Sequence, residues 1–504
     1  MLASLLLAWY DTHRRVLPFR GTKDPYRVWI SEIMLQQTRT ETVGAYYERF
    51  LLSFPDVFTL ADASEQDVLK CWEGLGYYSR ARNLHKAAKA VVSAYGGVFP
   101  ADVEKLRALP GVGDYTAAAV GSIAFGLPAP AMDGNLTRVL SRVHGVREDV
   151  GAPSVKRRLA DLAQADMPPV RCGDFNQALM DLGATVCVPG TPECESCPLR
   201  PLCDAYKAGD ADALPVKTAA KPPAEIPVSV ALITCGGKIY LRQRKETLLG
   251  GLWVYQLTER AKDVFDIEKA QKALGIRAHP VKALGPARHV FTHRVWNMTV
   301  YHYEAEDTAC REGRFFTLRE MEKLPIPTAM RAARAFAQEL LTPAVLPLRE
   351  ETLLPIARAY AESWQDSHRA HCTEAFWRAH TPESMADRLR GHLAAGRQAY
   401  GLYLAGQAAG ALVIDPRENE LNVLYVRPEA QGAGVGRAAT AFAVSHLDRT
   451  RDMRVTLLET NARARSLYQK FGFLERESLR VLDEKNGLCE ETLIRRADFE
   501  EEES

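Results

Sequence analysis

Four closely spaced cysteines constrain this chain more than any other feature. Cys187, Cys194, Cys197 and Cys203 follow a C-x6-C-x2-C-x5-C pattern, and Pro189, Pro192, Pro198 and Pro201 fix the turns between them. Four thiolates in one short loop suit a soft, fourfold thiolate centre. A structural zinc ion is the chemical rival, because four cysteines also make a zinc site. A closed centre whose ligands all come from the protein leaves no position for a substrate, which points to a structural role. The start of the chain, Met1 to Tyr10, is apolar but short, lacks a preceding basic segment and runs into Asp11-Thr12-His13-Arg14-Arg15. That pattern reads as a helix and not as an export signal. The 10 cysteines are then expected in a reducing, cytoplasmic compartment, with a metal site in place of disulfides. No stretch approaches the roughly 18 apolar residues of a membrane span, so no membrane partner is expected.

At 504 residues the chain is too long for one core, and about 100 to 200 residues per domain gives roughly three or four domains. Lys plus Arg (64) balances Asp plus Glu (63), so net charge neither favours nor excludes a polyanionic partner. Residues 1 to about 208 read as mostly helical. Within them come a helical run Val103 to Ala108, the turn Leu109-Pro110-Gly111-Val112-Gly113, a helix from Asp114 to about Phe125, and Met132-Asp133-Gly134-Asn135 opening a third helix. The apolar Leu136, Val139, Leu140 and Val143 have helical spacing. Two glycines flanking a valine let the backbone turn tightly and bring N–H groups up to a partner, and the following helix offers unpaired donors. Such a corner suits a phosphate. Asp133 reads both as a helix N-cap and as a carboxylate placed beside that corner. Upstream, Tyr26 to Gln37 is apolar nearly all round, with one acid, Glu32, inside it. Desolvation is expected to raise its pKa and keep a proton available near neutrality. The segment Gly74 to Leu84 combines glycines with Tyr77, Tyr78, Arg80 and Arg82, a mixture suited to stacking a ring into a base stack and contacting phosphates.

Leu109-Pro110-Gly111-Val112-Gly113 with Asp133-Gly134-Asn135 resembles the helix-hairpin-helix, Gly/Pro, Asp signature of the DNA glycosylase superfamily that includes endonuclease III and adenine glycosylase. Ser31-Glu32-Ile33-Met34-Leu35-Gln36-Gln37-Thr38 and Gly74 to Leu84 are similar to two segments of MutY-type adenine glycosylases. The cysteine spacing matches the [4Fe-4S] loop of the endonuclease III and MutY families. The resemblance implies a [4Fe-4S] cluster on Cys187, Cys194, Cys197 and Cys203 with a DNA-docking role, and Arg200 facing phosphate. It implies that Gln37 and Tyr77 wedge into double-stranded DNA, that Gly111 and Gly113 grip its backbone, and that Arg20, Leu35 and Gln177 surround an extruded base. Glu32 would protonate adenine N7 and later activate water, and Asp133 would stabilise the positive sugar, with Tyr115 and Asn135 helping to position Asp133 and the sugar. Two departures stand out. Leu17-Pro18-Phe19-Arg20 replaces the common Leu-Pro-Trp-Arg, and Tyr115 occupies the position of the Schiff-base lysine in endonuclease III-type enzymes. Without that amine, an efficient built-in lyase is not expected.

Asp212 to Pro227 reads as an interdomain linker rich in Pro, Ala and Lys. Beyond it, Val228 to Thr234 and Lys238 to Arg242 form a hairpin pattern about Gly236-Gly237, with a helix expected at Ile267 to Leu274. Leu248-Leu249-Gly250-Gly251-Leu252-Trp253 and His289-Val290-Phe291-Thr292-His293 resemble the Nudix-like C-terminal domain of MutY enzymes. No clustered-glutamate box is present, so magnesium-dependent pyrophosphate hydrolysis is not expected. The resemblance makes Phe291, Thr292 and His293, together with Leu75, readers of 8-oxoguanine; the family's turn has Ser where Thr292 stands. Leu340 to Leu348 reads as a second linker. Then a strand, Glu420 to Val426, meets Gln431-x-x-Gly434-x-Gly436 at a helix start, followed by Asn461 and Leu467-Tyr468-x-x-Phe471-Gly472-Phe473. A glycine-rich strand-to-helix turn binds pyrophosphate through backbone N–H groups. These residues resemble the acetyl-CoA site of GNAT acetyltransferases, which implies Val426, Gln431, Gly432, Gly434, Gly436, Arg437, Asn461 and Tyr468 as ligands of acetyl-CoA, Tyr468 being the acid for the departing thiolate.

The expectation is therefore a multidomain, monomeric chain. An all-α helix-hairpin-helix glycosylase with its [4Fe-4S] loop spans 1–211, a linker 212–227, an α+β Nudix-like domain 228–340 and an α/β GNAT-like domain 346–495. Its partners would be duplex DNA carrying adenine opposite 8-oxoguanine or guanine, and acetyl-CoA. Two other functions remain open on sequence: a bifunctional glycosylase/lyase acting on oxidised pyrimidines, and a catalytically silent DNA-damage reader.

Overall fold

The computed structural model describes residues 1–218, 222–259, 269, 272–368, 380–483 and 488–497. Two compact units divide the chain: Met1–Pro223 with Arg244–Leu252 and Leu324–Thr328, and the remainder.

The first unit is helical: α1 (Leu2–His13), α2 (Pro25–Leu35), α3 (Thr40–Ser53), α4 (Val57–Asp62), α5 (Glu65–Cys71), α6 (Ser79–Tyr95), α7 (Val103–Arg107), α8 (Asp114–Phe125), α9 (Gly134–Val143), α10 (Pro153–Asp166), α11 (Cys172–Thr185) and α12 (Asp204–Ala208). Short polar side chains set many of the starts. Asp24, Asp56, Ser64, Asp102 and Asp133 each accept a backbone N–H of the turn they open. Helix α8 is apolar all round, and this places it between two cores. Ala117 and Val120 pack with Trp29, Ile33 and Leu84, whereas Ala118 and Ala119 pack with Leu6, Leu140 and Phe175. The expected linker 212–227 is not free. Leu214 is buried against Cys203 and Ala205, Val150 N donates to the Val216 carbonyl at 3.0 Å, and Ala224 already begins a strand.

In the second unit, β1 (Ala224–Cys235), β2 (Lys238–Gln243), β3 (Trp253–Val254), β4 (Gln256–Glu259), β5 (Ala278–Val290), β6 (Arg294–Ala305) and β7 (Arg314–Phe316) make one sheet. Strand β1 runs parallel to β6 from Ala224↔Arg294 to Thr234↔Glu304, and turns at Gly236-Gly237 into β2. Helices α13 (Leu318–Glu322) and α14 (Arg331–Leu341) follow. The helix expected at Ile267–Leu274 falls largely outside the described residues.

A second sheet, ordered β13-β14-β12-β11-β10-β9-β8, contains β8 (Ala344–Pro347), β9 (Gln398–Leu404), β10 (Gln407–Asp415), β11 (Glu420–Val426), β12 (Met453–Leu458), β13 (Glu475–Asp483) and β14 (Leu488–Arg495). Helices α15 (Glu350–His368), α16 (Pro382–Ala394), α17 (Val435–His446) and α18 (Ala462–Gln469) accompany it. Parallel pairing of β11 with β12 covers only Glu420↔Arg454 and Leu421↔Val455. Beyond that point both strands continue unpaired with each other, and a cleft lies beside them. The expected linker at Leu340–Leu348 is a correction: Leu340 and Leu341 end α14, and Ala344–Pro347 pair with β9. Pro343 and Pro347 suggested a break, but β8 is an edge strand, where a missing N–H is tolerated. Two further contacts join the segments around these sheets. Ala405 N donates to the Leu340 carbonyl at 2.8 Å. At the β1–β2 turn, a Cβ on Gly237 would lie 2.3 Å from Leu404 and 2.6 Å from Ala433.

Candidate active site

In the helical unit, α2 and α9 deliver two carboxylates to one place. Glu32 lies on α2 with Ile30, Ile33 and Met34 around it and is 6% exposed. Burial raises its pKa; a hydrogen bond from Tyr115 and the charge of Arg20 oppose the shift, and Asp133 adds to it. The Tyr115 hydroxyl, on α8, donates to Glu32 Oε2 at 2.5 Å. Asp133 is the N-cap of α9: Oδ1 accepts from Leu136 N at 2.7 Å and Oδ2 from Asn135 Nδ2 at 2.9 Å. Burial raises its pKa as well, against those hydrogen bonds. A cavity of about 740 Å³ is lined by Arg20, Gln37, Tyr77, Gly113, Tyr115, Asp133 and Asn135, with Phe19 and Leu35 in its wall. Glu32 adjoins the cavity at Tyr115, one of its lining residues, whose hydroxyl donates to it.

The rim is backbone held in the left-handed region. Gln37 has φ 55° and Tyr77 φ 47°, both strained for residues with a Cβ. What holds them was missed in the sequence. Arg80 was expected to face phosphate, yet it is buried, and its guanidinium donates to the carbonyls of Ile33 (3.0 Å), Met34 (2.8 Å), Leu75 (3.1 Å) and Gly76 (3.2 Å). Arg82 likewise donates to the Gly250 carbonyl. Tyr78 and Leu75 are core residues, while Tyr77 is 47% exposed. Arg20 donates to Gln177 Oε1 at 2.5 Å and approaches Asp181 at 3.5 Å. Gly111 has φ 74° and would place a Cβ 2.5 Å from that of Asn83, whereas a Cβ on Gly113 would meet nothing within 4 Å. The hairpin therefore presents open backbone at Gly113.

Cys187, Cys194, Cys197 and Cys203 line one pocket with Val139, Val143, Leu182 and Leu199. Burial pushes the Cys197 thiol up to about 11 and raises Cys194 and Cys203. Two arginines of α9, at a spacing of four, organise this loop; that spacing was the one signal that could have revealed them. Arg142, 2% exposed, donates to Cys187 Sγ at 3.2 Å and to the carbonyls of Val188, Gly190 and Leu214. Arg138 bridges Asn135 Oδ1 (2.8 Å) to the Cys187 carbonyl (2.7 Å). Among the described residues no three His, Cys, Asp or Glu side chains are grouped to hold a single metal ion. Arg200, expected to face phosphate, pairs with Glu195 and lies over the Tyr206 ring.

In the second unit, Phe291-Thr292-His293 form the turn between β5 and β6, where Phe291 packs edge-on to Trp296 at 4.9 Å and Thr292 and His293 are exposed. A separate cavity of about 1010 Å³ is lined by Val426, Gln431, Gly432, Gly434, Gly436, Arg437, Asn461 and Tyr468, so every expected acetyl-CoA residue is brought to one place. Gly432 (φ 83°) and Gly434 (φ 89°) make the turn that only glycine adopts freely.

Comparison with known proteins gives three family matches. The model described as HhH-GPD superfamily base excision DNA repair protein matches residues 30–165, that of the NUDIX domain 229–335, and that of the acetyltransferase (GNAT) domain 360–488. The adenine DNA glycosylase of Mus musculus is 35% identical over 391 residues, 65% of this chain and 76% of that protein. That of Homo sapiens is 34% identical over 392 residues, 65% of this chain and 72% of that protein. The adenine DNA glycosylase of Buchnera aphidicola subsp. Baizongia pistaciae is 40% identical over 202 residues, 40% of this chain and 57% of that protein.

Proposed function

Given that the chain belongs to the adenine DNA glycosylase family and carries a GNAT acetyltransferase domain after its Nudix-like domain, we propose that it hydrolyses the N-glycosidic bond of adenine placed opposite 8-oxoguanine or guanine in duplex DNA. The observation that carries this reading is the pair Glu32 and Asp133, coupled across Tyr115 at the edge of one cavity.

Adenine is a poor leaving group until it is protonated. Glu32, kept protonated by burial, donates to N7 of a flipped adenine, and the resulting carboxylate activates water. Asp133, fixed by Leu136 N and Asn135, faces the positive charge that develops on the sugar. Tyr115 aligns the Glu32 carboxyl. Gln37 and Tyr77 fill the gap left in the stack, with the Gly111–Gly113 hairpin on the phosphate backbone and Arg20 and Gln177 beside the base. Phe291, Thr292 and His293 read the opposite base from an exposed turn. No lysine lines the cavity among the described residues, which supports a hydrolase over an imine-forming lyase. Cys187, Cys194, Cys197 and Cys203 would hold a [4Fe-4S] cluster: four thiols, apolar walls and a buried guanidinium suit a thiolate-bound group, which supplies rigidity to the loop. In the C-terminal domain, the glycine turn binds the pyrophosphate of acetyl-CoA, and Tyr468, whose phenol burial keeps protonated, supplies the proton to the departing thiolate.

A single-turnover assay on duplex containing adenine opposite 8-oxoguanine tests the reading. Free adenine and an unbroken strand are expected. A strand cut without added base would favour the lyase, and no adenine at all would leave only a reader.

A further inference from the structure

The turn that leads from β11 into α17 faces two ways. Gly432, Gly434 and Gly436 line the C-terminal cavity, whereas Ala433, between the first two, does not. Its methyl meets the Nudix-like domain instead, at the hairpin between β1 and β2. A Cβ on Gly237 would lie 2.6 Å from the Ala433 Cβ and 2.3 Å from Leu404 Cδ2, and a Cβ on Gly236 would lie 2.9 Å from the Glu429 carbonyl oxygen. Separations under 3.0 Å are closer than a real Cβ tolerates, so hairpin backbone is packed against this turn at two points. Leu404, which shares the contact, is 4% exposed and belongs to the core beneath the sheet.

Left to itself, the turn is weakly held. Its own backbone hydrogen bonds, from Gln431 N to the Pro428 carbonyl at 3.2 Å and from Ala433 N to the Ala430 carbonyl at 3.4 Å, are long. Gly432 and Gly434 have φ of 83° and 89°, and glycine has more conformational freedom to lose on ordering than any other residue. Gripping a pyrophosphate takes several N–H donors at fixed positions. A turn that its ligand must first put in order binds that ligand less tightly. The Gln431 side chain steadies the cavity side, donating to the Val426 carbonyl at 3.0 Å and accepting from Arg463 at 2.6 Å. The hairpin steadies the side that faces away from the cavity.

Resting on the acetyl-CoA reading above, we infer that the β1–β2 hairpin of the Nudix-like domain is a working part of the acetyl-CoA site. Gly236 and Gly237 are positioning residues that keep the pyrophosphate-binding turn in its binding conformation, although neither lines the cavity. Cofactor affinity then depends on the neighbouring domain, and the dependence is mutual: a cofactor that favours the ordered turn also tightens the hairpin packed on it.

Calorimetry of the full-length protein with acetyl-CoA comes first: absence of heat defeats the acetyl-CoA reading, and the inference with it. Given binding, Gly237→Ala sets a methyl against that of Ala433 and is expected to weaken acetyl-CoA about tenfold. Single-turnover release of adenine, which belongs to the helical unit, should stay at the native rate and report a folded chain. Adding Ala433→Gly removes the opposing methyl and is expected to return the affinity to within about threefold of native. A hairpin that served only overall stability would not be rescued at that one position. In the native protein, acetyl-CoA is expected to slow amide exchange in the Gly236-Gly237 turn; this measurement needs no variant and decides alone should Gly237→Ala not fold. Native affinity in Gly237→Ala, no recovery in the double variant, or unchanged exchange at the turn would each overturn the inference.

Discussion

Glu32 and Asp133 are pushed in the same direction by burial and are kept apart in role by their neighbours. Asp133 accepts two short hydrogen bonds that favour its ionised form, whereas Glu32 receives one, from Tyr115. Asp133→Asn is therefore expected to abolish adenine release while DNA affinity survives, measured by single turnover beside a binding titration; release at the native rate would remove Asp133 from the chemistry. The Tyr115 hydrogen bond lowers the Glu32 pKa. Tyr115→Phe should then move the alkaline limb of the pH–rate profile to higher pH, and a limb that moves down or stays fixed contradicts the assignment. Stability carries a matching signature. A carboxyl whose pKa is higher folded than unfolded gives the folded state the extra proton, so stability falls as pH rises through the folded value. Glu32→Gln should flatten that alkaline loss in denaturation curves taken across pH.

At the scale of elements, α9 carries most of the site's coherence, with Asp133 at its mouth and Arg138 and Arg142 one and two turns on. Removing the Arg142 guanidinium would leave three backbone carbonyls without their donor, and Arg142→Ala should destabilise the helical unit by about 3–5 kcal/mol in urea. The hairpin before α8 separates fold from grip. Gly111→Ala forces a side chain into left-handed backbone against Asn83 and should cost about 1–3 kcal/mol. Gly113→Ala has room and should fold normally, yet weaken DNA binding if the open backbone meets phosphate; unchanged affinity would argue against that contact. Much of this was legible. The Pro-Gly-Val-Gly turn, the Asp133 cap and the apolar surroundings of Glu32 are local patterns, and a local pattern survives into the fold. The roles of the arginines were not: the four-residue spacing puts Arg138 and Arg142 on one helix face, yet the carbonyls they meet at Cys187, Val188, Gly190 and Leu214, like those of Ile33 and Met34 at Arg80, lie far away in sequence. Pro343 and Pro347 misled for the opposite reason: a local signal for a break was overridden by an edge position in a sheet.

At the scale of the molecule, the family shown by the comparisons accounts for the helical unit and the first sheet, and the GNAT domain stands beyond it. The join between the two C-terminal domains is structural and not a tether. Only Thr342 and Pro343 separate α14 from β8, Leu340 accepts a hydrogen bond from Ala405, and the bare Gly236-Gly237 turn abuts Leu404 and Ala433, next to the glycines of the C-terminal cavity. A chain stopped after Thr342 should consequently show a lower Tm and more light scattering than the full protein, and Gly237→Val should do so without any truncation. An intact Tm in both would mean that the contact contributes nothing. The glycine turn serves two purposes at once. Gly236 and Gly237 both have positive φ (53° and 74°), as a two-residue hairpin turn requires, and the same missing side chains let Leu404 and Ala433 close over the turn, so one pair of residues serves both the chain reversal and the seam beside it.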